Sequence, residues 1–323
     1  MEKLRKKPVI AFLALFAALY VIIYVIPKVT GALKFSYIAE YGGLEISDSE
    51  DSYFVRNEKV YFSSVSGTEN RYIGEGKLIR RGTKVLNIEK GEEKSGQSEY
   101  ADIRNNIGKA GIGTGSFVSD SEGIVTYFAD GYEAAFAPEK IEKKKLSDFK
   151  KLDNDLSIQL KRDTVSAGDP VFKIVDRSGW YMVTYIPKNH KDRYAVSKKY
   201  SVIIDDKYEI KATLKNVSAE GNKMKMVFES DYYFKGFSTI RTAKVKIITS
   251  KASGLIIYNT SITEKNGQKG VFVKQGSGKY KFTPIRIITG DDEKSIVTRS
   301  IFYDEKGNVY NTVKNYDEIL KRA

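Results

Sequence analysis

The chain has no cysteine and only one histidine, His190, among its 323 residues. Without cysteine it has no disulfide framework, no thiolate ligand for zinc and no thiol nucleophile. A single histidine also removes most zinc sites and most catalytic triads, which need a base held between a nucleophile and an orienting carboxylate. His190 stands in the polar stretch KNHKD. We therefore predict an exposed loop histidine without a catalytic role.

Acidic residues are present, but they are grouped in ways that do not predict catalysis. The acidic residues at 205–206 and at 291–293 are adjacent in sequence, which is typical of hairpin turns and not of two carboxylates that face each other across a cleft. The acidic cluster at 48–51 lacks the alternating ligands, central glycine and terminal glutamate of a calcium-binding EF-hand, and we expect a solvated turn. The sequence predicts a non-enzyme with no metal site.

Two short motifs resemble cofactor sites but stand in the wrong context. The glycine-rich stretch GIGTG at 111–115 is followed by neither Gly-Lys-Ser/Thr nor a helix, so we expect a flexible connector and not a phosphate loop. The tripeptide Met224-Lys225-Met226 is similar to a biotin-attachment turn but lies in a predicted strand. No cofactor is predicted.

The residues that are abundant predict a β-rich chain. Hydrophobic residues make up 41% of the chain and aromatics 12%, with 22 tyrosines against 16 phenylalanines. Short apolar clusters alternate with turn residues along most of its length, and no heptad repeat is present. Two or three small β-domains with half-buried aromatic faces fit this composition and length.

A formal charge of +13 suits nucleic acid, anionic lipid or an anionic cell-wall polymer as a partner, and the N-terminus favours the cell envelope. Residues 1–7 contain four Lys or Arg, and residues 8–27 follow without a charge. That length predicts a membrane-spanning helix whose basic end stays in the cytoplasm, with the remaining domains extracytoplasmic. The alternative is a cleaved signal peptide, whose apolar region is typically shorter.

Two stretches are similar to each other and suggest a family. Residues 59–90 and 157–187 each contain a β-type cluster, a glycine turn and a second cluster. Arg81-Gly82-Thr83-Lys84-Val85-Leu86 in the first matches Ala167-Gly168-Asp169-Pro170-Val171-Phe172 in the second. These phrases resemble the two half-motifs of the lipoyl-like domain in HlyD-type membrane fusion proteins, also called periplasmic adaptor proteins.

That resemblance implies an order of domains that the rest of the chain follows. Five predicted strands between 180 and 249 suit an antiparallel barrel, and the strand-rich stretch 253–298 resembles the membrane-proximal domain of the family. The family's long helical hairpin between the half-motifs is missing, since residues 91–116 have room for only a few helical turns. Residues 138–151 predict a small basic amphipathic helix, which packs on the sandwich or touches membrane or wall.

The predicted fold is mainly β: an N-terminal transmembrane helix, a lipoyl-like barrel-sandwich hybrid, an antiparallel β-barrel and a membrane-proximal β-domain. The predicted parts are a cytoplasmic basic tail, 1–7; a transmembrane helix, 8–27; a linker with a membrane-proximal strand, 28–58; a lipoyl-like sandwich, 59–180, from half-motifs 59–90 and 117–180; its insertion, 91–116; a β-barrel, 181–250; and the membrane-proximal domain with the C-terminal tail, 251–323.

The predicted function is that of a non-catalytic, single-pass membrane adaptor or scaffold on the extracytoplasmic side, in efflux, secretion or envelope assembly. The resemblance implies a membrane transporter or other envelope proteins as partners, and homo-oligomers. The alternative is a module that binds a cell-wall or other anionic polymer, linked to wall synthesis or division. In the family, the long helical hairpin docks on an outer-membrane channel. Because the insertion takes the place of this docking hairpin, its residues are the predicted partner contacts: Tyr100, Ile103, Arg104, Ile107 and Lys109.

Overall fold

The computed structural model describes residues 6–25, 35–91, 100–152 and 156–322, without the side chains of 6–11 and 109. Strands dominate it, as the sequence predicts. The first elements are helix α1, Lys6–Tyr20, a π-helical turn, Val21–Val25, and strands β1, Ser36–Ile38, and β2, Glu40–Val55.

The prediction of a membrane-spanning helix over residues 8–27 is not confirmed. Helix α1 ends at Tyr20 after 15 residues, which rise about 22 Å at 1.5 Å each, and the next five residues are π-helical. Within the described ranges, no helix combines the length and the apolar character needed to cross a membrane.

The chain forms two compact units. One is Met1–Ile46 with Ser250–Ala323, and the other is Ser47–Thr249. The second unit begins with ten strands of a sandwich: β3, Glu58–Ser63; β4, Gly67–Arg71; β5, Leu78–Ile79; β6, Leu86–Lys90; β7, Ile112–Thr114; β8, Gly123–Thr126; β9, Phe128–Ala129; β10, Ile158–Gln159; β11, Thr164–Val165; and β12, Pro170–Val175.

The two predicted half-motifs interlock in this sandwich. Strand β3 of the first pairs with β12 of the second, β4 pairs with β11, and β5 pairs with β8, all antiparallel. Gly82 and Gly168, which the repeat aligns, both have φ of +84°, a left-handed turn that glycine adopts without a Cβ clash. Tyr61 and Phe172 stack across the β3–β12 pair with ring centroids 4.4 Å apart. Each half covers the core of the other, so neither buries its apolar face alone.

A closed barrel of six strands follows the sandwich. Its strands, after the C-terminal part of β2, are β13, Trp180–Pro187; β14, Lys199–Ile204; β15, Tyr208–Glu220; β16, Lys223–Ser230; and β17, Thr242–Tyr258. The order is β14-β15-β16-β13-β2-β17, and β17 pairs again with β14, which closes the ring. Trp180 lies in its core at 2% exposure and donates its indole N–H to the Tyr232 carbonyl.

The basic stretch 138–151 packs against the barrel. It forms a 3₁₀ helix, Pro138–Lys143, and a single α-helical turn, Leu146–Phe149. Its apolar side chains Ile141, Phe149 and Leu152 are buried, and Phe149 stacks on Tyr53 of β2 at 5.2 Å. The stretch is packed, as one of the two alternatives predicts, but it packs on strands of the barrel and not on the sandwich.

The other unit is a small antiparallel β-domain. Besides β1, its strands are β18, Thr263–Lys265; β19, Gln268–Lys274; β20, Tyr280–Pro284; β21, Ile287–Gly290; β22, Lys294–Val297; β23, Ile301–Tyr303; β24, Val309–Asn311; and β25, Glu318–Leu320. Strand β1 pairs with β25, so a segment from the start of the chain completes a sheet formed by its end. Leu255, Val271 and Ile319 are fully buried in its core.

Candidate functional site

The insertion between the half-motifs folds onto the sandwich instead of extending from it. Its helix, Ala101–Ile107, is α2, and the turn Leu146–Phe149 described above is α3. Tyr100, Ile103 and Ile107 recur at the spacing of one helix face and are 6%, 2% and 4% exposed. All three belong to the sandwich core, and the guanidinium of Arg162 lies 4.2 Å from the centre of the Tyr100 ring. This side of α2 is therefore buried in the sandwich core.

The remaining predicted contact residues differ in exposure. Arg104 is 44% exposed at its side chain and its Nη2 lies 3.0 Å from Oδ1 of Asp169, in the turn that follows Gly168. For Lys109 only the backbone is described. Three of the five predicted side chains are therefore buried, and only the opposite side of α2 is exposed to solvent. Exposed residues there include Asp102 and Asn105.

The most concentrated set of charges lies inside the second unit, where the sandwich meets the barrel. Six charged side chains form this buried ion network: Arg56, Glu58, Asp130, Glu133, Lys173 and Arg241. Each of the six has a side-chain exposure of 3% or less. Three cations thus meet three carboxylates away from water.

Arg241 is the centre of the buried ion network. Its Nε and Nη2 donate to the two oxygens of Asp130 at 2.5 and 3.1 Å, a forked geometry that suits a guanidinium, and Nη2 also lies 2.5 Å from Oε2 of Glu58. Lys173 reaches Oε1 of Glu58 at 3.0 Å and Oε1 of Glu133 at 3.1 Å. Arg56 donates to the carbonyls of Phe237 and Ile240. Strands of the sandwich are thereby joined to residues of the barrel.

The network shifts the pKa values of its three carboxylates in different directions. Burial acts to raise the pKa of Glu58, but the cations Arg241, Lys173 and Arg56 outweigh it and hold this pKa at about 2. The pKa of Asp130 is also lowered: burial opposes the shift, and Arg241 overcomes it. The pKa of Glu133 is raised, because burial and the nearby Asp130 charge exceed the attraction of Lys173. Glu58 is therefore ionised across the ordinary pH range.

A cleft of about 400 Å³ borders the buried ion network. Glu58 and Glu133 of the network are among its lining residues, together with Lys59, Glu139 and Lys140. Both signs of charge line it, and Glu58 and Glu133 are already paired with cations of the network. Among the residues that the structure describes, no three His, Asp or Glu side chains converge to hold a metal ion.

A second polar cluster corrects two expectations about loops. Asp48 is 6% exposed and lies within β2, not in a solvated turn. Its Oδ1 lies 2.7 Å from Nδ1 of His190, and its Oδ2 accepts the hydroxyl of Tyr194 at 2.6 Å. The His190 side chain is 12% exposed, so it is not an exposed loop histidine. The Asp48 carboxylate ties the loop after β13 to β2.

Lys225 of the biotin-like tripeptide is buried. It is 4% exposed, and its Nζ donates to the carbonyls of Ile141 and Lys144 at 2.6 Å each. Desolvation lowers the pKa of this ammonium group. The side chain closes the 3₁₀ turn Pro138–Lys143 onto the barrel, and a ligase has no access to it in the folded chain.

Sequence reasoning did not find the buried ion network. Arg56 and Glu58 stand in the stretch VRNEKV, which looks like a polar connection between strands, and apart from each other their partners lie about 115 to 185 residues away. The only local hint is that each charged residue adjoins a β-type cluster. Charged residues at strand ends are common at surfaces, so this pattern does not distinguish a buried charge from an exposed one.

Comparison with known proteins identifies the two domains of the second unit. A family model described as an RND-related barrel-sandwich hybrid domain matches residues 58–176, and one described as an RND-related β-barrel domain matches residues 180–251. Together they cover more than half of the chain. The search of curated proteins found no match.

Similar solved structures include two proteins named MacA and ZneB. MacA from Actinobacillus actinomycetemcomitans is 11% identical, with a TM-score of 0.41 over 90% of this chain and 100% of that chain. ZneB from Cupriavidus metallidurans is 8% identical, with a TM-score of 0.29 over 90% of this chain and 92% of that chain. At such values the family assignment rests on the two domain models. By these models the chain carries an RND-related barrel-sandwich hybrid domain followed by an RND-related β-barrel domain, which confirms the predicted resemblance to HlyD-type membrane fusion proteins.

Proposed function

We propose that the protein is a non-catalytic adaptor that holds another envelope protein on the extracytoplasmic side of a membrane, in efflux, secretion or an envelope assembly. The observation that carries the proposal is the pair of RND-related domains in series, with the short helix α2 at the position of the docking hairpin. A scaffold of this kind needs rigid domains and a contact surface, and it needs no reacting groups.

The buried ion network favours a scaffold. It fixes the sandwich to the barrel through ion pairs whose members come from both domains. Buried charges that are fully paired specify one arrangement, because any displacement leaves a charge without its partner in a medium of low dielectric constant. Two rigidly joined domains present a fixed surface to a partner.

The surface that we assign to the partner is the exposed side of α2. The side chains of Asp102 and Asn105 are exposed there, whereas Ile103 and Ile107 hold the helix to the core. A helix anchored in this way loses little conformational entropy on binding, since its backbone is already fixed. We therefore assign partner binding to the exposed residues of the insertion and not to the buried ones.

A photo-crosslinking amino acid at this surface tests the proposal. We would place it at Asp102 or Asn105 of the full-length chain in cells, with the exposed turn residue Asn266 as a control position, and identify captured proteins by mass spectrometry. A membrane transporter subunit captured at α2 but not at 266 supports an export adaptor, and a division or wall-synthesis protein supports an envelope scaffold. Capture of the same proteins at all positions, or of none at α2, contradicts the assigned surface.

Location and self-association belong to the same proposal. Protease added to intact spheroplasts is expected to cleave the domains beyond residue 35 while a cytoplasmic marker survives. Crosslinking of the full chain between copies is expected to give a ladder of homo-oligomers. A protein that is protected from protease, or that stays monomeric at every concentration tested, contradicts this part of the proposal.

A further inference from the structure

A compact group of cations lies at one edge of the sandwich. Four exposed side chains within eight residues form this basic patch: Lys77, Arg80, Arg81 and Lys84. None of them forms an ion pair with a carboxylate of the described residues, and the one contact recorded is that of Lys84 Nζ, 5.8 Å from the centre of the exposed Tyr72 ring. Their charge is available to a partner.

The backbone holds the basic patch in place. Strand β5 pairs with β8 through Leu78 and Ile79, and the amide of Gly82 donates to the Ser119 carbonyl at 2.8 Å. Gly82 takes the left-handed turn conformation, and the next apolar residue, Val85, is fully buried. The patch is thus a turn held between two anchored segments, with four exposed cations within eight residues of sequence.

Two carboxylates close to the backbone of the basic patch form no ion pair with it. Glu75 accepts the amide of Tyr127 at 2.8 Å, and Asp120 pairs with Lys59 at 2.8 Å. Uncompensated like charges at one place create a positive potential that attracts a polyanion and weakens as salt is added. None of the four side chains supports the fold through a hydrogen bond to a neighbour in the described structure.

We propose that the basic patch binds a flexible phosphodiester polymer with a polyol backbone. Phosphates spaced along a flexible chain can meet successive cations of a short turn. A nucleic acid fits less well, because residues 70–85 contain a single aromatic residue for base stacking and no helix to enter a groove. This binding site is additional to the partner surface on α2 and does not rest on the adaptor role.

The test is binding of synthetic poly(glycerol phosphate) to the full-length chain in detergent. We expect affinity to fall as salt is raised, and to fall at least about tenfold in the quadruple variant K77Q/R80Q/R81Q/K84Q. The matched control is K207Q/K235Q/K265Q/K306Q, which removes the same charge from exposed positions outside the basic patch. This control is expected to bind almost as tightly as the unchanged protein.

Three outcomes overturn the proposal. Equal loss in the two variants means that net charge, not the basic patch, attracts the polymer. Tighter and patch-dependent binding of a single-stranded oligonucleotide means that the ligand is a nucleic acid. Patch-dependent binding to phosphatidylglycerol vesicles without binding to the polymer means that the surface meets a membrane. Near-ultraviolet circular dichroism of both variants checks that the sandwich remains folded.

Discussion

Glu58 shows how much depends on one buried carboxylate. Its side chain is inaccessible to solvent and lies within ion-pair distance of Arg56, Lys173 and Arg241. Removing water from four charged groups is costly, and only their mutual attraction offsets the cost. If the Glu58 charge is lost, three cations remain with two carboxylates, Asp130 and Glu133, in a space that water does not reach.

We therefore expect Glu58→Gln to lower the free energy of unfolding by about 3 to 5 kcal/mol. Urea unfolding followed by circular dichroism measures this change. The control is Glu264→Gln, the same chemical change at an exposed position of a different β-strand, which is expected to have almost no effect. Equal stability of the two variants would mean that Glu58 contributes no more than a surface charge.

The same residue predicts how stability depends on pH. The pKa of Glu58 is about 2 in the folded chain against 4.5 for the unperturbed group. Because the folded-state pKa is lowered, the unfolded chain takes up the proton first as pH falls. The contribution is complete above about pH 4.5 and is lost between about pH 4.5 and 2, which amounts to about 3 kcal/mol. The Glu58→Gln variant should lose less stability than the unchanged protein over this window.

At the scale of elements, the sequence was most informative where its patterns are local. The repeated half-motifs predicted the sandwich, because a glycine turn followed by two apolar residues leaves a signature within six residues. Strand β2 was missed, since Asp48 and Glu50 interrupt its apolar alternation. Asp48 is tolerated inside because His190 and Tyr194 bind it, and these lie more than 140 residues away. Long-range pairing of this kind leaves no local pattern.

Helix α2 illustrates a further limit of sequence reasoning. The pattern predicted a short helix, and the family resemblance suggested that it faces a partner. Its apolar residues are instead buried in the sandwich core. A seven-residue helix is marginally stable by itself, so it depends on this packing. Apolar periodicity shows which side of a helix is buried. It does not show whether that side packs against the same chain or against a partner.

A substitution on each side of α2 separates these roles. We expect Ile103→Ala to lower the free energy of unfolding by about 2 to 5 kcal/mol, because it opens a cavity in the sandwich core. Asn105→Ala, on the exposed side of the same helix, should change it by less than about 0.5 kcal/mol. Chemical denaturation measures both. A small effect of Ile103→Ala would mean that α2 is only loosely attached to the sandwich.

At the scale of the molecule, the buried ion network links two β-domains of the unit Ser47–Thr249 into one cooperative structure. Glu58 and Lys173 come from strands of the sandwich, while Arg56 and Arg241 adjoin strands of the barrel. Unfolding either domain alone would leave the charges of the other without partners. In the proposed adaptor role this link is needed, because a partner bound at α2 would be held in a fixed position relative to the barrel only if the two domains move together.

We expect the sandwich and the barrel to unfold together in the unchanged protein. The sole tryptophan, Trp180, reports on the barrel core, and hydrogen exchange at the buried amides of Val125 and Phe172 reports on the sandwich. The denaturation midpoints of the two probes should coincide, and they should separate in Glu58→Gln but not in Glu264→Gln. Separate midpoints in the unchanged protein would contradict the coupling, because each domain would then keep its fold without the ion pairs that cross between them.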